Sequence, residues 1–409
     1  MKILHVNFSD HQGGASIAVL RLHKILLDKG IDSYLLVSDK ELNEKNIIST
    51  NKTFEKIKNI IKSSITRNLE IIFKTSNKNT HSLNIFPSNL LKVINDFDAD
   101  VVNLHWLGNE TLSIKQISKI KSKIVWTLHD MWPFCGAEHY TYDERFEEGY
   151  LKNNRPGNEK GIDLNRYIWN KKFNYFSKID KIITTSTWMK NCSKNSSLFK
   201  NKPVEEIPLI LDPNKWFPIT DSISSKKILG LSLNKKVITY GSDNYFKNER
   251  KGFKYFLDLV DRFDNMKNFE FVIFGEDNFE KLNTFLAEKK YKNKIFNLGK
   301  IKDEISMKLL YSATDVIISP SLLEAFGLIV QEGSFMGVPS VVFDNTGSES
   351  IIDHKKNGYV AKYKSTSDLF KGTEWCLNNL YNKNEIHEYS KEKFNSDKII
   401  KKYLNFIEN

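Results

Sequence analysis

The chain has 409 residues, of which 40% are hydrophobic and 12% aromatic, so it can build substantial cores and is not an intrinsically disordered protein. Its length suggests two or three domains. No run approaches the ~18 consecutive apolar residues of a transmembrane helix. The three cysteines, Cys135, Cys192 and Cys376, form no CxxC pair. This spacing excludes a disulfide framework and a cysteine-rich zinc site, and it favours a reducing cytosol.

The chain is basic, with 61 Lys and Arg against 50 Asp and Glu and a formal net charge of +11. Such a balance admits a nucleic acid, an anionic small molecule or an anionic membrane surface as partner. Neither a zinc-finger nor an RNA-recognition motif accompanies the charge. We therefore expect no nucleic-acid partner, and a basic nucleic-acid-binding protein is kept as an alternative.

The first half alternates short β-branched runs with helical patterns, from KILHVNF and GASIAVLRLHKILLDKG to KIITTS and TWMKNCSKN. This alternation predicts parallel strands covered by helices, in a Rossmann-like domain over residues 1–208. The opening MKILHVNF is too short and too polar for the core of a signal peptide, so we interpret it as the first strand.

A glycine pair, Gly13 and Gly14, follows the first strand and opens a helix. Glycines let backbone amides approach a ligand closely, and a helix N-terminus favours a phosphate. The GxGxxG fingerprint of dinucleotide-binding proteins is absent. The loop therefore predicts either a phosphate site or an ordinary tight turn.

Residues 51–80 predict a basic amphipathic helix. Apolar side chains recur at helical spacing between Phe54 and Ile72, and seven basic residues, Lys62 among them, accompany two acidic ones. Such a helix either lies on an anionic membrane or packs its apolar face on the first sheet.

Two further patterns precede and follow the strand VVNLHW. Asp96, Asp98 and Asp100 have the spacing of a DxD metal motif, but they lie at the amino end of that strand, whereas ligands gather at carboxyl ends. They predict a polar turn. His105 and His129 each end a predicted strand, and neither has metal-ligand spacing with another histidine or cysteine.

A proline-punctuated stretch, EEIPLILDPNKWFPIT, predicts a linker over residues 209–225. A second series of strands and helices, from KVITYG to PSVVFD, predicts a second Rossmann-like domain over residues 226–382. Residues 383–409 are expected to form helices that pack across the domain junction. The predicted fold class is α/β, with two parallel sheets facing a central cleft and ligands at the carboxyl ends of the strands.

The strongest local pattern is SLLEAFGLIVQEGSFMGVP, in which Glu324 and Glu332 flank a glycine-containing turn and the start of a helix. Carboxylates can accept several bonds from sugar hydroxyls. The backbone amides of Phe326, Gly327 and Leu328 can meanwhile hold phosphate oxygens. The pattern indicates a site for a phosphorylated sugar.

The string Glu324-x7-Glu332, the following GVPSVV and the later GYV resemble the donor-site signature of glycosyltransferase family 4. The resemblance extends over the whole chain, through GGAS, TLHDMWPF, IPLILDPNKWFP and RKG. It implies the two-domain GT-B fold and a retaining transferase that uses a nucleotide sugar. The TLHDMWPF string with the later HY implies the branch that builds bacterial surface polysaccharides.

The resemblance also implies roles for the matching residues. Three are implied in catalysis: His129 beside the transferred sugar, Lys251 at the departing diphosphate and Glu324 on the sugar hydroxyls. Glu332 is implied at the ribose and the loop 299–301 at the base. The donor-binding residues in full are Gly13, Gly14, Arg250, Gly299, Lys300, Ile301, Phe326, Gly327, Leu328 and Glu332.

The chain departs from the family pattern at two places. Where relatives carry an arginine after the first strand of the donor domain, this chain has Ser242, so one diphosphate cation is missing and Arg250 is the candidate to replace it. Many relatives of this branch carry extra cysteines after the tryptophan of TLHDMW. This chain has Glu138 and the acidic run 143–148 there instead, so the acceptor preference of this loop does not follow from the resemblance.

The sequence thus predicts a retaining, nucleotide-sugar-dependent hexosyltransferase acting on a glycan or polyprenyl-linked acceptor in the synthesis of O-antigen, capsule or lipopolysaccharide. No metal or cofactor is expected, since lysine and helix-terminal amides can stabilise the leaving diphosphate. We expect a cytoplasmic protein, peripheral on the inner membrane face if residues 51–80 bind anionic lipid. A nucleotide-sugar-binding protein without turnover is the alternative on the same fold.

Overall fold

The computed structural model describes residues 1–50, 61–62, 64–66, 73–75, 77–219, 221–276, 279–379 and 382–409. These residues form two compact units. The first contains residues 1–210 and 396–409, and the second contains residues 211–395. The chain thus passes from the first unit to the second within the stretch 209–225, and its last helix belongs to the first unit.

The first unit is built on a parallel sheet. The strands of this half of the chain are β1 (Lys2–Ser9), β2 (Asp32–Asp39), β3 (Ile47–Ser49), β4 (Phe73–Lys74), β5 (Val101–Leu104), β6 (Lys123–Leu128), β7 (Lys160–Gly161), β8 (Lys181–Thr184) and β9 (Val204–Glu206). Seven of them pair in the order β3-β2-β1-β5-β6-β8-β9. β4 and β7 form a separate antiparallel pair. β1 is buried on both faces: only Lys2 and Phe8 are partly exposed, and the polar residues His5 and Asn7 lie among its buried apolar ones.

Helices connect the strands of this sheet. They are α1 (Gly13–Asp28), α2 (Leu90–Asp96), α3 (Ile114–Ile117), α4 (Arg145–Glu148), α5 (Leu164–Tyr175) and α6 (Thr187–Asn195). α1 buries Ala18, Val19 and Leu26, which recur at helical spacing and face the core. The first unit is therefore Rossmann-like, as predicted.

The second unit repeats this plan on a six-stranded sheet. Its strands are β10 (Lys236–Gly241), β11 (Phe269–Phe274), β12 (Ile295–Asn297), β13 (Val316–Ser319), β14 (Ser340–Phe343) and β15 (Gly358–Ala361). Every pairing in the order β12-β11-β10-β13-β14-β15 is parallel.

The remaining helices are α7 (Ser222–Ile228), α8 (Phe253–Phe263), α9 (Phe279–Lys289), α10 (Glu304–Ala313), α11 (Leu328–Phe335), α12 (Thr366–Asn378), α13 (Lys383–Lys393) and α14 (Ser396–Glu408). The face of α8 that carries Phe256, Leu259 and Phe263 is fully buried in the core of the second unit. α14 returns to the first unit, where the hydroxyl of Tyr403 donates to Oδ1 of Asn103 on β5 over 2.9 Å. Two parallel-sheet, Rossmann-like units confirm the predicted α/β fold class. Within the described ranges, the helices are too short or too polar to cross a membrane.

A buried lysine of α5 holds the loop that follows β6. Nζ of Lys172 donates to the carbonyl oxygens of Cys135 at 3.1 Å, of Gly136 at 2.6 Å and of Trp132. It also lies 3.8 Å from the centre of the Trp132 ring. Burial lowers the pKa of Lys172. The three carbonyls and the aromatic face oppose that effect by favouring an ammonium ion.

We expect Lys172→Met to lower the free energy of unfolding by about 3 kcal/mol or more, because three carbonyl oxygens lose a charged donor in a dry environment. The matched control is Lys171→Met on the same helix, whose amino group lies 4.8 Å from the ring of the half-exposed Tyr167. The control should change the free energy of unfolding by less than about 0.5 kcal/mol. Chemical denaturation followed by tryptophan fluorescence measures both, and equal effects would contradict the assigned role of Lys172.

Candidate functional site

The predicted donor residues of the second unit lie in loops that follow its strands, except Leu328 and Glu332, which lie in helix α11. The turn with Arg250 and Lys251 comes after β10, the loop 299–301 after β12, and the loop 320–327 leads from β13 into α11. Because all these strands are parallel, their carboxyl ends lie along one edge of the sheet. The structure therefore gathers these residues at the edge where the sequence predicts them.

Two glycines with positive φ allow these loops to approach one another. Gly252 has a φ of 68°, and a Cβ atom there would lie 1.8 Å from the carbonyl oxygen of Pro320. Gly327 has a φ of 106°, and a Cβ atom there would lie 2.3 Å from Oγ of Ser348. Any other residue at either position would combine strain with a clash. The packing of these loops thus depends on both glycines.

An ion pair joins two of the predicted catalytic residues. Nζ of Lys251 donates to Oε2 of Glu324 over 2.6 Å, and each side chain is 15% exposed. Burial alone would raise the pKa of Glu324, but the charges of Lys251 and Arg250 and the hydrogen bond from Lys251 hold it below the usual range. Burial and the nearby Arg250 lower the pKa of Lys251. The pair is an ammonium facing a carboxylate, with little water around either.

Arg250 lies on the same side of this pair. Its guanidinium donates to the carbonyl oxygen of Leu323 over 2.9 Å and lies 4.0 Å from Glu324. The hydrogen bond from the backbone N–H of Leu322 to the carbonyl of Arg250 ties the two loops further. Two cations and one carboxylate therefore meet at the loop that leads into α11.

Glu332, predicted to bind ribose, is buried on α11 and is 5% exposed. The hydroxyl of Tyr311 donates to its Oε2 over 2.9 Å. Phe326 is also buried, and Leu328 is the first residue of α11. Gly327 precedes that helix without a side chain that could cap its amides.

The loop predicted to contact the base is tied to its neighbours. The carbonyl of Gly299 accepts from the backbone N–H of Gly275 over 2.7 Å. Ile301 packs against the apolar cluster of Phe274 and Leu310. Nζ of Lys300 lies 3.0 Å from Oδ1 of Asp243, which follows β10. A lysine of this loop thus reaches the position next to Ser242, where the sequence lacks the arginine of its relatives.

In the first unit, Gly13 is the first residue of α1 and has a φ of 80°. Both Gly13 and Gly14 are exposed, and a Cβ atom at residue 13 would meet nothing within 4 Å. The side chain of Gln12, which precedes the helix, does not cap it. The backbone N–H groups of His11 and Gln12 donate to Oγ of Ser9, so the exposed Gly13 and Gly14 are the residues of this loop that a ligand can approach.

His129, the third predicted catalytic residue, ends a row of three histidines. Its Nε2 lies 3.0 Å from Nδ1 of His105, and Nε2 of His105 lies 3.0 Å from Nδ1 of His5. Burial lowers the pKa of His129 to about 4 and that of His5 to about 3. His105 and His129 also line a pocket of the first unit, together with Thr127, Tyr403 and apolar side chains such as Ala18 and Ile207. The resemblance to the family favours His129 over His105, whereas the structure joins the two rings by a hydrogen bond.

Sequence reasoning missed two residues near these sites. His5 stands in the middle of the first predicted strand, where nothing distinguishes it from a core residue. Ser348 lies behind Gly327, and its buried hydroxyl has no hydrogen-bond partner among the residues that the structure describes. Its only signal is its place in the loop after the strand PSVVFD.

The aspartates of the DxD run behave as a polar turn. Asp96 ends α2, and the carboxylate of Asp100 accepts from the backbone N–H of Lys2 over 2.6 Å. β5 begins directly after them at Val101. In the described part of the chain, no group of three or more His, Cys, Asp or Glu side chains has an arrangement that could hold a metal ion.

Comparison with known proteins gives matches for the second unit and for the fold. Residues 225–393 match the family described as Glycosyl transferases group 1. An uncharacterized glycosyltransferase of Methanocaldococcus jannaschii is 27% identical over 237 residues, which are 55% of this chain and 59% of that protein. This chain thus spans about three fifths of the length of that relative.

Two solved structures are similar over the whole chain. The Anabaena protein HepE in complex with UDP-glucose has a TM-score of 0.66 at 14% identity, with 100% of this chain and 99% of that chain covered. WaaG, a glycosyltransferase involved in lipopolysaccharide biosynthesis, has a TM-score of 0.62 at 12% identity, with 100% of both chains covered. At such identities these likenesses show the fold.

The match to the family includes Lys251, Glu324 and Glu332, and it spans every strand of the second sheet. The two solved structures share the fold class that the strand order of both units defines. Residues 225–393 therefore match the Glycosyl transferases group 1 family, in a chain that has the two-unit GT-B fold.

Proposed function

We propose that the protein is a retaining glycosyltransferase of family 4 that moves a hexosyl group from a nucleotide-sugar donor to an acceptor hydroxyl. The ion pair of Lys251 with Glu324 carries this proposal, because it places a cation and a carboxylate 2.6 Å apart, the carboxylate in the loop that leads into α11. When the bond between sugar and diphosphate breaks, negative charge builds on the diphosphate and positive charge on the anomeric carbon. A lysine and a carboxylate held side by side suit that division of charge.

The rest of the donor is assigned to the loops around this pair. Arg250 and the amides of Phe326, Gly327 and Leu328 contact the diphosphate, since a helix start favours anions. Glu332 holds the ribose hydroxyls, and the loop 299–301 contacts the base. UDP is the first nucleotide to test, because HepE binds UDP-glucose on the same fold.

The first unit contributes His129 beside the transferred sugar and the amides of Gly13 and Gly14 at the diphosphate. Accessible glycine amides at the start of α1 support the second assignment. The reaction uses no metal, because two cations and the amides stabilise the leaving group. EDTA should therefore leave transfer unchanged, measured as release of the nucleoside diphosphate. A loss of activity that Mn²⁺ restores would contradict this part of the proposal.

The acceptor is a glycan or a polyprenyl-linked saccharide of a bacterial surface polysaccharide. The strings TLHDMWPF and HY support this branch, and WaaG, which has the same fold, is involved in lipopolysaccharide biosynthesis. The protein then works in the cytoplasm, at the inner face of the membrane where such acceptors are anchored.

The second candidate is a nucleotide-sugar-binding protein without turnover, and the serine at position 242 favours it because a diphosphate cation is missing there. Incubation of the purified protein with UDP-, GDP- and ADP-sugars separates the two candidates. Release of a nucleoside diphosphate supports the transferase, whereas thermal stabilisation by a donor without any release supports the binding protein.

Replacement of Glu332 tests the nucleotide site. Glu332→Gln should weaken binding of UDP about tenfold or more, because hydrogen bonds to a charged acceptor contribute about 1.5–3 kcal/mol. The matched control is Glu270→Gln, which removes another buried carboxylate of this unit, bound to Ser232. Calorimetric titration with UDP measures both variants. Equal affinity of Glu332→Gln and the wild type would show that Glu332 does not bind the ribose.

The proposed membrane contact concerns residues 51–80, most of which lie outside the described residues. In the described part, Ile61 and Ile65 are 54% and 42% exposed, which supports an outward apolar face. The helical pattern predicts Lys62 on the basic surface, and this prediction is wrong: Lys62 is buried, and its Nζ donates to the carbonyl oxygen of Pro87 over 2.6 Å. The buried position of this lysine leaves the lipid contact to its apolar neighbours.

We therefore expect the double variant Ile61→Glu, Ile65→Glu to lose co-sedimentation with vesicles that contain anionic lipid. Two carboxylates replace apolar contacts and are repelled by the lipid charge. The control is Ile223→Glu, Ile305→Glu in the other unit, whose side chains are 57% and 80% exposed. The control should bind like the wild type. Equal binding of both double variants, or wild-type binding to neutral vesicles alone, would contradict an anionic-membrane site.

A further inference from the structure

The three histidines form a continuous hydrogen-bonded row across the middle of the first sheet. His5 lies in β1, and His105 and His129 directly follow β5 and β6, which are its successive neighbours in the sheet. Both links of the row are 3.0 Å between ring nitrogens. His5 and His105 are buried, whereas His129 is partly exposed. The row therefore leads from the core of the first unit to the partly exposed ring of His129.

Because each neutral ring has only one N–H, the hydrogen bonds require all three histidines to have the same tautomer. A hydrogen bond between two imidazoles needs one N–H and one lone pair, and a neutral imidazole has one of each. The row connects Nδ1 of His5 to Nε2 of His105, and Nδ1 of His105 to Nε2 of His129. With neutral rings, all three must hence carry hydrogen on Nδ1, or all three on Nε2. Burial disfavours the charged form of each ring and lowers the pKa of all three.

The inner end of the row decides between the two states. Nε2 of His5 is buried and has no hydrogen-bond partner among the described residues. If all rings carried hydrogen on Nε2, this end would be an orphaned donor in the core. If all three rings carried hydrogen on Nδ1, Nε2 of His5 would be an acceptor without a donor. Orphaned buried N–H groups are rarer in proteins than unsatisfied acceptors.

We infer that His5 and His105 are positioning residues that hold His129 as an Nδ1–H donor, with its Nε2 occupied by His105. His129 then offers a hydrogen to an acceptor oxygen of the ligand, either a sugar hydroxyl or a phosphate oxygen. Its Nε2 accepts from His105 and takes no proton from a substrate. The identity of the ligand rests on the proposed function, whereas the state of the ring does not.

The state of the ring can be read directly by NMR of the full chain labelled with 15N-histidine. The two ring nitrogens are distinguished by their couplings to the ring carbon-bound protons, and the protonated one by its chemical shift. His5, His105 and His129, each assigned by its own substitution, should all carry hydrogen on Nδ1 at neutral pH. Hydrogen on Nε2 of His129 in the wild type, or a mixture of states along the row, would overturn the inference.

Replacement of His105 tests whether its hydrogen bond sets the tautomer of His129. His105→Phe removes the donor to Nε2 of His129, so the tautomer of His129 should shift toward Nε2–H and turnover should fall about tenfold. The control is His387→Phe, which removes another buried histidine, one in the second unit that bonds to the carbonyl oxygen of Phe335. It should change neither the tautomer nor turnover. An unchanged tautomer in His105→Phe would overturn the inference.

The two proposals fail separately in these experiments. A wild-type protein that shows the expected Nδ1–H state but releases no nucleoside diphosphate from any donor contradicts the proposed function alone. A protein that turns over donor with hydrogen on Nε2 of His129 contradicts the tautomer alone. If His105→Phe does not fold, the wild-type spectrum still decides.

Discussion

Parallel pairing of the strands decides where the chemistry of this protein lies. In a parallel sheet every strand runs in the same direction, so the loops after β10, β13 and β14 emerge along one edge. Neighbouring strands also end at matched heights, as the pairing of Tyr240 with Ile318 and of Ser319 with Val342 shows. The ion pair at α11 follows from this register, because Lys251 and Glu324 are 73 residues apart in sequence. The same rule in the first sheet brings three histidines of different strands into one row.

Burial strengthens the attraction between the charged side chains of this protein, and it also removes their hydration. An isolated ion taken from water into a protein loses several kcal/mol of hydration free energy, and this loss is offset only by a close partner. Lys251 and Glu324 satisfy one another at 2.6 Å, with Arg250 beside them. In the first unit, Lys172 reaches the same end with three carbonyl oxygens in place of a carboxylate. The pair of Lys251 and Glu324 leaves polar groups that a ligand can contact, whereas Lys172 fixes the loop after β6.

The sequence was sufficient to predict the fold class, since β-branched runs alternating with helical patterns have few other solutions than a parallel sheet. It also located the loop of Glu324 and the start of α11. It could not show the bond between His5 and His105, because that contact depends on strand order and on the pairing of His5 with Asn103. The inward position of Lys62 was hidden for a related reason, since a helical pattern does not say which face packs. Tertiary contacts decide both cases.

Ser242 stands where the relatives have an arginine, so the positive charge near this position comes from other side chains. Lys300 and Asp243 form a pair of zero net charge beside it, and Arg250, Lys251 and Glu324 together give two positive charges against one negative, or +1. An arginine at position 242 would add one more. On the proposed assignment, a diphosphate here depends more heavily on the N-terminus of α11, which contributes about half a positive charge. Gly327 suits that demand: a serine or aspartate in its place would bond to the first amides of α11, whereas glycine leaves them for the phosphate oxygens.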